Sequence, residues 1–121
     1  MSLEERLFEI ERGFWLEGED YFLAHLDEQC LLAFPQSGEM HGLFSREKVA
    51  STATGANRWR DLEMSDRYLL KLAEDAAIIS YRADVTRADG VAYSAFIGSA
   101  YVRRSSAWLL ASHQHSPITA D

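Results

Sequence analysis

The chain has 121 residues, 47% of them hydrophobic, and a formal net charge of −7. That is the length of one domain, too apolar for a disordered chain, and so acidic a sequence without a basic stripe excludes a general affinity for phosphate backbones, so no nucleic-acid partner is expected. No apolar run approaches the roughly 18 residues of a membrane helix, Met1–Arg6 is neither a secretory signal nor an Arg-rich transit peptide, and the lone Cys30 can form no internal disulfide, so a cytoplasmic protein with no membrane partner is expected.

Ser2 and Glu5 form a capping box, and Leu3, Leu7, Ile10 and Phe14 recur at helical spacing, predicting a helix over Leu3–Leu16 that ends before Gly18. A shorter helix follows, with Tyr21, Phe22 and Leu26 as its buried positions. Cys30–Phe34 reads as a strand, Pro35-Gln36-Ser37-Gly38 as a tight turn, and the chain to Met40 as a short return strand. Ser45 caps a third helix carrying Val49, Ala50 and Ala53, closed by Gly55 and Asn57. From Trp59 the period changes to two. Four long strands follow, with Asp89-Gly90 and Ser105-Ser106 as hairpin signals and Pro117 as the stop. Three helices before an antiparallel meander predict an α+β fold, with no linker, repeat or second composition zone, so one domain spans 1–121.

Tyr81-Arg82-Ala83, Tyr93-Ser94-Ala95, Ser99–Arg104, Trp108 and His113-Gln114-His115-Ser116-Pro117 form a connected series. Together with Phe34-Pro35, Gly38 and Met40, the series resembles the small bacterial proteins of the nuclear-transport-factor-2-like superfamily, close to its SnoaL-like group. The resemblance implies a cone-shaped, cystatin-like fold: a curved sheet wrapped around N-terminal helices with an internal pocket. It implies no single activity, because the superfamily includes isomerases, dehydratases, cyclases and non-catalytic association modules.

Two-residue loops at Asp89-Gly90 and Ser105-Ser106, with a first hairpin turning at Ala73-Glu74, place Asp66, Tyr81, Gly98 and His113 in one row across the sheet. Leu62, Met64, Tyr68, Leu70, Ile79, Ala83, Val85, Phe96, Ala100, Val102, Leu109 and Ala111 then share their face, which makes it the apolar, concave one. The opposite, convex face carries Arg82, Asp84, Ser99, Tyr101 and Gln114 with Ile97, Trp108 and Leu110, and is either solvated or, as the resemblance implies, a homodimer interface. Polar groups on an apolar wall are the usual form of a small-molecule site. The expected ligand contacts are Tyr81, His113, Phe96, Trp59, Trp15, Met64 and Phe34, around a small apolar or aromatic molecule. Gly98 leaves room beside them. Asp66 either faces inward or sits at a bulge and points out.

If the chain is an enzyme, His113 is the proton carrier, Tyr81 the donor to a developing oxyanion, and Asp66 or Asp20 the base. Asp66 and His113, three strands apart, are separated by roughly 14 Å and cannot pair. His113-x-His115 with His41 or His25 lacks a metal-site spacing, and no phosphate loop, nucleophile elbow or dinucleotide fingerprint is present, so neither metal nor cofactor is expected. Glu17, Glu19, Asp20, Asp27 and Glu28 read as a solvated acidic face, and Cys30 as an inert buried thiol. Three functions compete: a dimeric binding protein, a proton-transferring isomerase, dehydratase or cyclase, and a pure oligomerisation module.

Overall fold

A computed structural model describes residues 1–34, 41–53 and 59–119. Helix α1 runs Leu3–Leu16, started by the Ser2 hydroxyl, which accepts from the Glu5 N–H at 3.1 Å and donates to the Glu5 carboxylate at 3.0 Å. Its buried stripe is Leu7, Phe8, Ile10, Glu11, Gly13 and Trp15. Helix α2 (Glu19–His25) is followed without a break by β1 (Leu26–Ala33), then β2 (His41–Ser45) and α3 (Arg46–Ala50), whose cap is the expected Ser45. Four long strands complete the chain: β3 (Arg60–Ala73), β4 (Ala76–Thr86), β5 (Ala92–Arg104) and β6 (Ala107–Pro117). The turn expected at Pro35–Gly38, the strand expected to reach Met40, and the Gly55 and Asn57 closure lie outside the described residues. Among the described residues no helix is long and apolar enough to cross a membrane.

Among the described residues six strands form one sheet in the order β2-β1-β6-β5-β4-β3. All pairs are antiparallel except β1 with β6, which is parallel. The sequence predicted a pure meander and placed Leu26 in the second helix; Leu26 instead opens β1, opposite Leu110. Asp27 anchors this junction. It is 6% exposed, and its two carboxylate oxygens accept from Arg104 at 2.8 and 2.9 Å, so it is not part of the solvated acidic face. Arg104 holds the Asp27 carboxyl below the usual carboxylate range, first through that hydrogen bond and against the opposing effect of burial.

Strand β3 is bent by extra residues. Asp61 and Leu62 stand opposite Val85, and Asp66 and Arg67 stand opposite Tyr81, with Asp61 at φ 55° and Asp66 at φ 50°. Aspartate tolerates this left-handed conformation better than most residues, and such bulges bend and twist a strand. Beyond the second bulge the face of β3 is reversed, which turns Tyr68 and Leu70 outward, where they are 70% and 61% exposed.

The β4–β5 loop has three residues rather than two. Thr86 pairs with Ala92, the Arg87 N–H donates to the Val91 carbonyl at 2.8 Å, and Gly90 takes φ 88°. This is the three-residue hairpin in which glycine supplies the left-handed position. One residue more in the loop reverses every side chain of β5. Ala95, Ile97, Ser99 and Tyr101 therefore face the helices and are buried, while Phe96, Gly98, Ala100 and Val102 face out. The Ser105-Ser106 loop has the expected two residues, both with positive φ (49° and 73°), but β6 is irregular at Ala111. That extra residue lets Leu110 face inward opposite Tyr101 and His113 face inward opposite Ser99.

Helix α1 lies against the inner face. Phe8 packs edge-on against Tyr81 at 5.7 Å between ring centroids, and Trp15 donates to the Tyr81 hydroxyl at 2.8 Å. Leu7, Ile10, Cys30, Leu32, Ile79, Val85 and Ile97 fill the core around them.

Candidate functional site

The centre of the site is a residue the sequence analysis passed over. Glu11, in the middle of α1, is fully buried. Its Oε2 accepts from the Tyr81 hydroxyl at 2.6 Å and from the Ser99 hydroxyl at 2.6 Å, and lies 3.3 Å from His113 Nδ1; its Oε1 accepts from the Tyr101 hydroxyl at 2.5 Å. Each donor comes from an inward position of β4, β5 or β6. Burial alone pushes the Glu11 pKa up, but the charge of His113, then hydrogen bonds from His113, Ser99 and Tyr101, together hold it below its ordinary value. Tyr81 and Tyr101 are pushed well above theirs, first by burial and then by the Glu11 charge, so both remain phenols that donate. A buried carboxylate with this many donors is fully satisfied, and no buried polar side-chain atom among the described residues lacks a partner.

From Glu11 a chain of polar atoms runs along the sheet. Ser99 Oγ is 2.7 Å from His113 Nδ1, His113 Nε2 is 2.9 Å from His115 Nε2, and His115 Nδ1 is 3.0 Å from the Tyr93 hydroxyl. Exposure rises along it, from buried Glu11, Ser99 and His113 to half-buried His115 and Tyr93. Aromatic rings surround the outer end. Trp15 stacks on His115 at 5.4 Å, Phe34 meets His115 edge-on at 4.8 Å, and Trp59 lies 5.3 Å from Trp15 and 5.4 Å from Tyr93. Burial, then the charge of His113, lowers the His115 pKa to about 2.

Of the residues expected at the site, the structure brings together Tyr81, His113, Trp15, Trp59 and Phe34. Half-buried Met64 stands opposite Ala83 on the same face. Three others fall elsewhere. Phe96 is 49% exposed on the outer face, opposite Arg82 and Ser116, because of the longer β4–β5 loop. Asp66 is exposed at its bulge. Gly98 stands outside, opposite Ser80 and Gln114, and an added Cβ there would meet nothing within 4 Å. Asp20, the other carboxylate considered, is exposed on α2. Glu11 had one legible signal: it falls four residues after Leu7 and four before Trp15, on the buried stripe of the first helix.

Among the described residues no group of three His, Cys, Asp or Glu side chains is placed to hold a metal ion. His25 stacks on Tyr21 with its ring centroid 3.9 Å away. Cys30 is buried, and burial, then the charges of Glu11 and Asp27, push its thiol up to about 12.

No known protein family's profile matches the sequence, and no curated protein matches it. Solved structures do. A nuclear-transport-factor-2-like protein of unknown function from Prochlorococcus marinus aligns over 100% of this chain and 97% of its own at 17% identity, with a TM-score of 0.78. A candidate dehydratase of the same family from Streptomyces avermitilis aligns over 97% and 96% at 14% identity and a TM-score of 0.76. A protein of unknown function with a cystatin-like fold from Nostoc punctiforme aligns over 99% and 95% at 16% identity and a TM-score of 0.74. At such identities the likeness is one of fold, and it bears out the cone-shaped α+β architecture that the sequence resemblance implied.

Proposed function

From the nuclear-transport-factor-2-like fold of this chain, we propose that it binds a small, mainly apolar or aromatic molecule among Trp15, Trp59, Phe34, Tyr93 and the His113–His115 pair. The observation that carries this reading is the set of aromatic side chains around His115, buried Trp15 with half-buried Phe34 and Tyr93, and its imidazole is held through His113 on a buried carboxylate. Apolar walls with a few oriented polar groups are what small-molecule sites have in common. Tyr81 supports the site from behind, through Trp15. The test is a fragment screen of apolar and aromatic compounds mapped by NMR. Hits should perturb Trp59, Tyr93 and His115; hits that map elsewhere, or none at all, overturn the reading.

The binding form is a homodimer through the outer sheet face. Once β5 is reversed, that face is more apolar than the sequence indicated. Leu43, Leu31, Ser112, Ala100, Ile78 and Leu70 form one row across the six described strands, with Phe96 four residues further along β5 on the same face, and the four large aliphatic residues of the row are exposed. An apolar band of this extent is unusual on a monomer. A two-fold contact covers it with a second copy of itself, and the Arg82–Asp84 pair on the same face supplies both charges for a self-complementary rim. A cytoplasmic setting fits the single buried thiol.

A further inference from the structure

The polar chain admits two complete hydrogen-bond assignments that differ by one proton. In the first, the His113 Nδ1–H donates to Ser99 Oγ and the Ser99 hydroxyl donates to Glu11. The His115 Nε2–H donates to His113 Nε2, and the Tyr93 hydroxyl donates to His115 Nδ1. In the second, His113 carries protons on both nitrogens. Its Nδ1–H still faces Ser99 and Glu11, its Nε2–H donates to His115 Nε2, and His115 now donates from Nδ1 to the Tyr93 oxygen. The distances, 2.6 to 3.0 Å along the chain, serve both.

Passing from the first assignment to the second takes one acid molecule and no oxidant. The acid's proton bonds to the Tyr93 oxygen as the old Tyr93 O–H proton moves to His115 Nδ1. The His115 Nε2–H proton moves to His113 Nε2. The acid is left as its anion, and the new positive charge rests on His113, 3.3 Å from Glu11 Oε2. The reverse sequence delivers a proton outward.

We propose that Glu11, Ser99, His113, His115 and Tyr93 form a relay in which the two imidazoles carry one proton between the half-buried aromatic end of the site and the buried carboxylate. Glu11 is its positioning residue: it orients His113 through Ser99 and supplies the counter-charge from a fully buried position. The groups facing the relay from other elements do not compete for the proton. Tyr81 on β4 and Tyr101 on β5 stay phenols, and Cys30 on β1 stays a thiol. Asp27, also on β1, is occupied by Arg104. His115, kept neutral by its surroundings, passes the proton without storing it. The relay rests on the same site as the binding reading and deepens it, because a molecule held there meets a general acid or base.

The test uses the ligand-free protein, so its failure is distinct from an empty fragment map. The ¹⁵N signals of both histidine rings are followed with pH over the range in which the protein stays folded. The expected result is that, as pH falls, His113 becomes doubly protonated while His115 changes from the Nε2–H to the Nδ1–H tautomer, at one common midpoint. Glu11→Gln, which removes the counter-charge, should abolish the coupled change of the two rings. Tyr93→Phe, which removes only a half-buried hydroxyl and serves if Glu11→Gln does not fold, should leave His115 in one tautomer throughout. A His115 tautomer in the wild type that is the same at every pH, separate midpoints for the two rings, or an undisturbed exchange of tautomers in Tyr93→Phe would each overturn the relay.

Discussion

Gly13 and Tyr21 share one space: a Cβ added to Gly13 would lie 2.1 Å from Cζ of Tyr21. The tyrosine reaches across from α2, donates its hydroxyl to the Ile10 carbonyl at 2.9 Å, and stacks on His25. A glycine inside a helix ordinarily costs about 1 kcal/mol against alanine, so the close approach is what its absent side chain permits. Gly13→Ala should destabilise the protein by roughly 1–3 kcal/mol, as overpacking does, despite the gain in helix propensity. In a Tyr21→Ala background the same change should be neutral or stabilising. Denaturant midpoints of the four proteins in this cycle decide it; an equal effect of Gly13→Ala in both backgrounds would refute the shared space.

Glu11 is held by four side chains from three strands, so removing it strands their donors. Glu11→Ala should cost roughly 3–5 kcal/mol, the range for breaking a buried charge from its partners. Glu11→Gln, which keeps the shape and some of the acceptors, should cost less. Equilibrium unfolding in urea measures both, and equal losses would show that the charge is irrelevant to the fold.

Stability should fall in acid, beginning well above the carboxylate range. His115 has a folded pKa of about 2 against an ordinary 6.5, so below 6.5 the unfolded chain binds a proton that the folded one refuses. Glu11 lies below its ordinary 4.5, so its contribution is complete above that value and is lost as pH falls further. Both effects have the same sign. Urea midpoints should decline from pH 7 to pH 5 and more steeply below 4.5; a flat profile between pH 7 and 5 would contradict the assigned environment of His115. The His115→Phe variant should lose the upper part of the decline.

The outer face predicts an oligomeric state. Ile78→Asp and Phe96→Asp each place a charge on the apolar band without touching the core, since both residues are exposed. Sedimentation at micromolar concentration should find a dimer for the wild type and a monomer for either variant. A wild-type monomer, or dimers that ignore both substitutions, would remove this face from consideration.

Ser105 and Ser106 both sit in the left-handed region, where a residue with a Cβ pays roughly 1–2 kcal/mol. Replacing them by Asn-Gly, the pair that such two-residue hairpins favour, should raise stability by roughly 1 kcal/mol. Thermal melting tests it, with a lowered midpoint as the contrary result.

How far these features were legible from the residues depended on the range of the interaction. The first helix was readable to its ends because Ser2, the apolar spacing and Gly18 all act within a few residues. The direction of Tyr81 followed from simple alternation in β4. The faces of β3 and β5 did not, because each turns on one inserted residue. Asp-Gly fits hairpin loops of two or three residues equally, and Asp66 at a bulge looks in sequence like any exposed acid. His113 was expected inward and lies inward, but by a different route: the longer loop before β5 and the irregularity at Ala111 cancel. Glu11 was missed because a glutamate in a charged helix reads as surface, and only the tyrosines and serine arriving from 70 to 90 residues away make its burial tolerable.

That separation also sets the order in which the protein can be built. Helix α1 precedes every strand in the chain, but the partners of its acidic side chain lie on β4, β5 and β6, and β1 pairs with β6, the last of the described strands. A growing chain therefore exposes the apolar stripe of α1 and one edge of β1 until β6 has left the ribosome. Contacts so distant along the chain favour slow folding, and unpaired strand edges invite association in the meantime. The helix that anchors the site in the finished protein is the element that waits longest for its partners.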